Sequence, residues 1–66
     1  MKVSSTAISA ITYRKKTRVL YVHMVSGEHI AYEDVPEDVY ESFIHAGSIG
    51  KYYNANIRSN YSYRYV

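Results

Sequence analysis

Residues 34–47 read DVPEDVYESFIHAG, and here the spacing of apolar side chains changes from two to about 3.6. Val39, Tyr40, Phe43 and Ile44 recur one, three and four apart, the stripe of a helix that buries one side. Pro36 suits a first turn, whose backbone donors have no intrahelical partner. Glu37 and Asp38 lie near the positive end of the helix dipole, and Gly47 is a natural stop after the last turn. The stretch predicts a helix over Pro36–Ala46 lying across one face of the segment before it.

That segment alternates. In TRVLYVHMV (17–25), Leu20, Val22 and Met24 fall on one side, and Val19, Tyr21 and His23 on the other. AISAITYR (7–14) has the same character, with Ile11 and Tyr13 in phase, and the polar RKKT (14–17) suits a hairpin connection. SGE (26–28) forms a turn in which Gly27 can take a positive φ, and HIAYE (29–33) follows as a third strand with Ile30 and Tyr32 on one face. The fold class expected is α+β: a three-stranded antiparallel β-meander between about residues 6 and 33, packed against one helix.

Downstream of the helix, Ser48 suits an N-cap for a second, shorter helix ending near Ile57, with Ile49, Tyr53 and Ile57 on one face and Gly50 weakening it. The remaining NYSYRYV (60–66) reads as an extended or irregular Tyr-rich C-terminus, in which period two puts Tyr61, Tyr63 and Tyr65 on the same side.

The order of these features resembles the KTSC domain, named for its occurrence at the C-terminus of some lysyl-tRNA synthetases and also met as a free-standing bacterial or phage protein. The pattern comprises Ser4-Ser5 with Ala7-Ile8, Ser26-Gly27, Tyr32 with Asp34-Val35-Pro36, Val39-Tyr40, and a C-terminal run. That run, the most specific portion, is Ser48, Gly50 to Asn54, Ile57-Arg58, Tyr61, Tyr63-Arg64 and Val66. In one departure, the central Tyr-x-Tyr of the family stands here as Ile30-Ala31-Tyr32. An isoleucine cannot stack on a ligand, whereas it fills a core as well as a ring does. The resemblance implies the fold and, through the synthetase context, RNA binding.

Length and charge set further limits. Sixty-six residues make one domain (1–66), which buries only roughly 60% of the surface its unfolded chain exposes. With no cysteine there is no disulfide or thiolate metal site, which suits the cytoplasm. KVSSTAISAIT (2–12) has no apolar run of signal-peptide length, and no stretch is long enough to span a membrane, so a soluble protein without membrane attachment is expected. The net charge is only +2, but it is sorted along the chain. Residues 1–27 carry Lys2, Arg14, Lys15, Lys16 and Arg18 and no acid, residues 28–41 hold all six acids, and residues 42–66 carry Lys51, Arg58 and Arg64. Such sorting makes either a basic and an acidic face or a set of solvated charges.

Few residues suggest reaction chemistry. His23 and His29 sit across a hairpin without an obvious third metal ligand, and His45 stands apart. Glu37, Asp38 and Glu41 are accounted for by the helix dipole. No serine lies in a GxSxG elbow, and three scattered glycines make no phosphate loop. The expectation is a non-enzymatic protein without cofactor.

Binding is a different matter. KYYNANIRSNYSYRYV (51–66) interleaves five tyrosines with Lys51, Arg58 and Arg64 and holds no acid. Tyr53 and Ile57 fit the core and Asn54 a backbone-bridging role. Arg58 and Arg64 suit phosphate, Tyr61 and Tyr63 suit stacking on bases, and Lys51 with the RKK hairpin extends the basic surface. Arg58 equally suits a structural role, holding the C-terminal segment. Two partners stay open: single-stranded RNA or other nucleic acid, or a protein, for example a host protein engaged by a small phage factor. The oligomeric state is not legible.

Overall fold

The computed structural model describes Val3 and residues 5–66. Three strands come first: β1 (Ile8–Arg14), β2 (Val19–Met24) and β3 (His29–Tyr32). Helix α1 (Glu37–Ile44) follows with Pro36 at its N-cap, then α2 (Ile49–Tyr52), which runs on into a π-helical turn, Tyr53–Ile57. A last strand, β4 (Tyr63–Tyr65), completes a four-stranded antiparallel sheet in the order β1-β2-β3-β4.

The meander and both helices stand where period and caps put them. Gly27 takes φ 101° in the β2–β3 turn, and the Ser48 hydroxyl accepts the Lys51 N–H at the start of α2. The expected sheet of three strands is corrected to four. Residues 63–65 are not irregular: they pair with β3, Tyr65 opposite Ile30, Arg64 opposite Ala31 and Tyr63 opposite Tyr32. The strand is three residues long and exposed throughout, so no alternation of buried and solvated positions marks it. Only the backbone ladder, bracketed by Glu33 N–H to Ser62 O and Val66 N–H to His29 O, makes it a strand. Tyr61 lies outside it, packed half-buried against the core.

The core lies between the sheet and the helices. Ile11, Leu20, Val22, Ile30 and Tyr32 line it from the strands, Phe43 from α1, and Tyr53 and Ile57 from the π-turn. Within the helical stripe only Phe43 is fully buried, its ring parallel to Tyr52 at 5.6 Å; Val39, Tyr40 and Ile44 flank it half-buried. Ile8 is buried although strict alternation would turn it away from the side of Ile11. A bulge at Ser9 adds one residue to β1 and brings both isoleucines inward. Val35 is buried as well, its N–H bonded to Arg18 O and its carbonyl accepting the Tyr13 hydroxyl at 2.6 Å, so the α1 entry is clamped to the β1–β2 hairpin. Tyr13 also stacks on Tyr40 at 4.6 Å, tying the same hairpin to α1.

Candidate functional site

A groove runs between the β3–β4 edge and the helical segment Ile49–Ile57. It has two adjoining concavities of about 280 and 290 Å³, and Ile30, Tyr53, Arg58 and Tyr65 line both. Tyr32, Ser59 and Tyr63 complete the first, while Glu28, Asn54 and Met24 are among the residues of the second. Each wall has a local cause. Register with β3 puts Tyr63 and Tyr65 on the helix side of the sheet, beyond the reach of the short second helix, so their rings are 53% and 64% exposed. Arg58 follows a π-turn closed by its own N–H to Tyr53 O, five residues back; such widened turns recur at functional sites.

The floor is buried and polar only at one point, where the Tyr32 and Tyr53 hydroxyls meet at 2.5 Å. Burial, then the bond to Tyr53, pushes the Tyr32 phenol far above its ordinary 10.0. Burial also raises the Tyr61 phenol, which packs partly buried against the core and lines neither concavity.

Of the residues expected to form a binding surface, Arg58 and Tyr63 come together, and Tyr65 joins them. Lys51 is exposed on α2 and Tyr61 is half-buried elsewhere. Arg64 pairs with Ala31, so its side chain leaves the opposite face of the sheet from Tyr63, where its guanidinium lies 3.5 Å from Glu33. Arg58 makes no ion pair or side-chain hydrogen bond among the described residues, so no such bond ties it to the C-terminal segment. Asn54 bridges no backbone among the described residues; that part is played by Asn56, whose amide donates to Tyr52 O, and Asn60, which donates to Asn56 O. Tyr65 is not marked as a site residue by the local pattern, in which its partner strand is invisible; the triple alternation Tyr61, Tyr63, Tyr65 is the available signal.

The sorted charges partly neutralise one another, Lys15 lying 3.4 Å from Glu37. Lys2 of the basic N-terminal block and Ser4 of the family pattern lie outside the described residues. Tyr13, Arg14, Lys15 and Lys16 border a shallow basic depression at the β1–β2 hairpin. Among the described residues no group of three or more His, Cys, Asp or Glu is placed to hold a metal, and no helix is long and apolar enough to cross a membrane.

A four-stranded sheet backed by two helices, with a Tyr- and Arg-lined groove over its last strand, is the setting in which relatives can be compared. The KTSC domain family model matches residues 4–61, and the chain belongs to that family. Among solved structures it is similar to a KTSC domain protein of Yersinia pestis, at 28% sequence identity and a TM-score of 0.95, covering 100% of this chain and 93% of the other. No curated protein matches the sequence.

Proposed function

We propose that this KTSC domain is a small, non-enzymatic cytoplasmic protein that holds single-stranded RNA or other single-stranded nucleic acid in the groove over β4. The reading rests mainly on Arg58, a guanidinium without an ion-pair partner among the described residues, in one concavity with the exposed rings of Tyr63 and Tyr65. A guanidinium binds phosphate through two parallel hydrogen bonds, and tyrosine rings stack on any base for about 1–3 kcal/mol each. The concavity of Arg58, Ser59 and Tyr63 contains no carboxylate and suits the phosphate. Glu28 in the neighbouring one accepts hydrogen bonds only, which suits the amino edge of a base.

A protein partner is the second reading, supported by the free edge of β4. Since residues 62 and 66 bond to β3, the ladder alternates so that the N–H and C=O of Tyr63 and Tyr65 point outward, as a template for an added strand.

Fluorescence-anisotropy titration of labelled single-stranded RNA and DNA at low and moderate salt separates the two. Binding should weaken steeply with salt through counterion release. Arg58→Glu should abolish it, while Arg64→Glu, across the sheet and already beside Glu33, should retain most of it. If the wild-type protein shows no salt-sensitive binding up to about a hundred micromolar, a range in which even non-specific binders register, the nucleic-acid reading fails.

A further inference from the structure

The sheet face turned away from the core carries a second cluster, independent of the groove. His23 on β2 and His29 on β3 lie directly opposite each other. Because Met24 N–H bonds to Glu28 O one step along the same ladder, the 23/29 pair is of the non-hydrogen-bonded kind, in which facing side chains approach most closely. Their rings meet edge to face, centroids 4.6 Å apart, with the two Nδ1 atoms 2.7 Å apart. Thr12 Oγ1 sits 3.2 Å from the far nitrogen of His23, Nε2. A hydroxyl in that position orients the ring and keeps Nδ1 turned to His29, the arrangement of an outer partner behind a metal-bound imidazole.

We propose that His23 and His29 form a two-histidine chelate for a divalent transition-metal ion, bound through both Nδ1 atoms. Metal–nitrogen bonds of about 2.0–2.1 Å require the two nitrogens roughly 2.9 Å apart when the ligands meet at a right angle and about 3.3 Å apart in a tetrahedron. The present 2.7 Å is nearer the first than the second, so turning the two rings from each other toward a shared ion admits Cu²⁺ or Ni²⁺ more readily than Zn²⁺. In the metal-free pair one Nδ1 donates its proton to the other. On binding, the donating ring keeps its proton but carries it on Nε2, exchanged through water, so that both Nδ1 lone pairs face the ion and no net proton is released. Two protein ligands leave the other positions to water or a small ligand, and the affinity is accordingly lower than that of a closed cage.

The test is titration of the tag-free wild-type chain with Ni²⁺, followed by NMR of the imidazole resonances. His23 and His29 should broaden together and ahead of His45, which caps the C-terminal end of α1 beside Glu41 and serves as the internal reference. His23→Gln and His29→Gln should each weaken Ni²⁺ binding by about tenfold or more, because each removes the second arm of the chelate. First broadening at His45, equal affinity in wild type and both variants, or no binding at millimolar Ni²⁺ overturns the proposal. The wild-type titration decides the matter even if a variant folds poorly.

Discussion

Tyr32 and Tyr63 are neighbours on adjacent strands, directly opposite in register, on the same face of the sheet, with ring centroids 5.7 Å apart. Tyr32 is 2% exposed and Tyr63 53%. The difference lies in what stands above each ring. Tyr53, from the π-turn, meets Tyr32 edge-on at 6.0 Å and bonds its hydroxyl, whereas Tyr63 rises past the end of the helical segment. Of the nine tyrosines only Tyr32 and Tyr53 are buried and only Tyr63 and Tyr65 are exposed; the others pack half-buried against the core or on the sheet. Residue type therefore does not separate structural from binding tyrosines in this domain. Cover by the helices does, and four substitutions act on that cover to different degrees.

The largest effect should come from removing the cover. Phe43 is fully buried, and its ring lies nearly parallel to those of Tyr52 and Tyr53, so it holds α1 to the segment that roofs Tyr32. Phe43→Ala should cost about 3–5 kcal/mol, most of what a domain of this size has. Urea denaturation followed by circular dichroism would measure it, and an unchanged midpoint would mean that the core is centred elsewhere.

Next is the buried hydroxyl pair. Tyr32→Phe leaves the Tyr53 hydroxyl without its partner and should cost about 1–2 kcal/mol, less than a fully sealed site because Tyr53 also borders the groove. The substitution should also alter the pH dependence. Burial raises the Tyr32 phenol above 10.0, so the folded chain keeps a proton that the unfolded chain releases. Stability from this source is complete below pH 10 and is lost as the pH rises further. Melting temperatures from neutral pH upward should fall beyond that point in the wild type and fall less in Tyr32→Phe. Tyr13 and Tyr61, whose phenols burial also raises, contribute to the slope that remains.

How much of this was readable beforehand follows from the range of each interaction. The meander, α1 and the second helix are local patterns: Leu20 and Val22 alternate, Pro36 and Ser48 cap, and Phe43 falls on a helical stripe. The family pattern is local too, resting on the order and spacing of short motifs over nearly the whole chain, of which residues 48–66 are the most specific portion. What stayed hidden depends on partners far along the chain. β4 exists only through hydrogen bonds to residues about thirty positions earlier, an inference no three-residue segment supports. The same pairing splits Arg64 from Arg58 and Tyr63, which composition alone had grouped. The Ser9 bulge likewise concealed Ile8, since an inserted residue resets the alternation on which a strand is recognised.

Ile30, the departure from the family's aromatic pattern, tests the groove itself. Its side chain is 6% exposed, faces the core opposite Val22, and also forms part of the floor beneath Tyr65. Ile30→Tyr adds a ring that would strain a closed core, but here about 290 Å³ of open groove adjoins the site. The expected cost is below about 1 kcal/mol, with the new ring occupying the groove. A larger loss in thermal denaturation would show that Ile30 has no free space above it.

The smallest effect on stability should come from Tyr63→Ala, and it bears most directly on the contrast with Tyr32. The Tyr63 ring touches Tyr32 and Tyr65 and is otherwise open, and its backbone N–H and C=O are not used in the ladder to β3. Surface substitutions of this kind change stability by no more than about 0.5 kcal/mol. Nucleic-acid affinity should nonetheless fall by roughly tenfold, the equivalent of one stacked base at about 1–3 kcal/mol. A variant that keeps its midpoint and loses affinity separates the exposed tyrosine from the buried one by function as well as by cover. A variant that loses both would make Tyr63 part of the roof over Tyr32, and the boundary of the core would then run through β4 and not short of it.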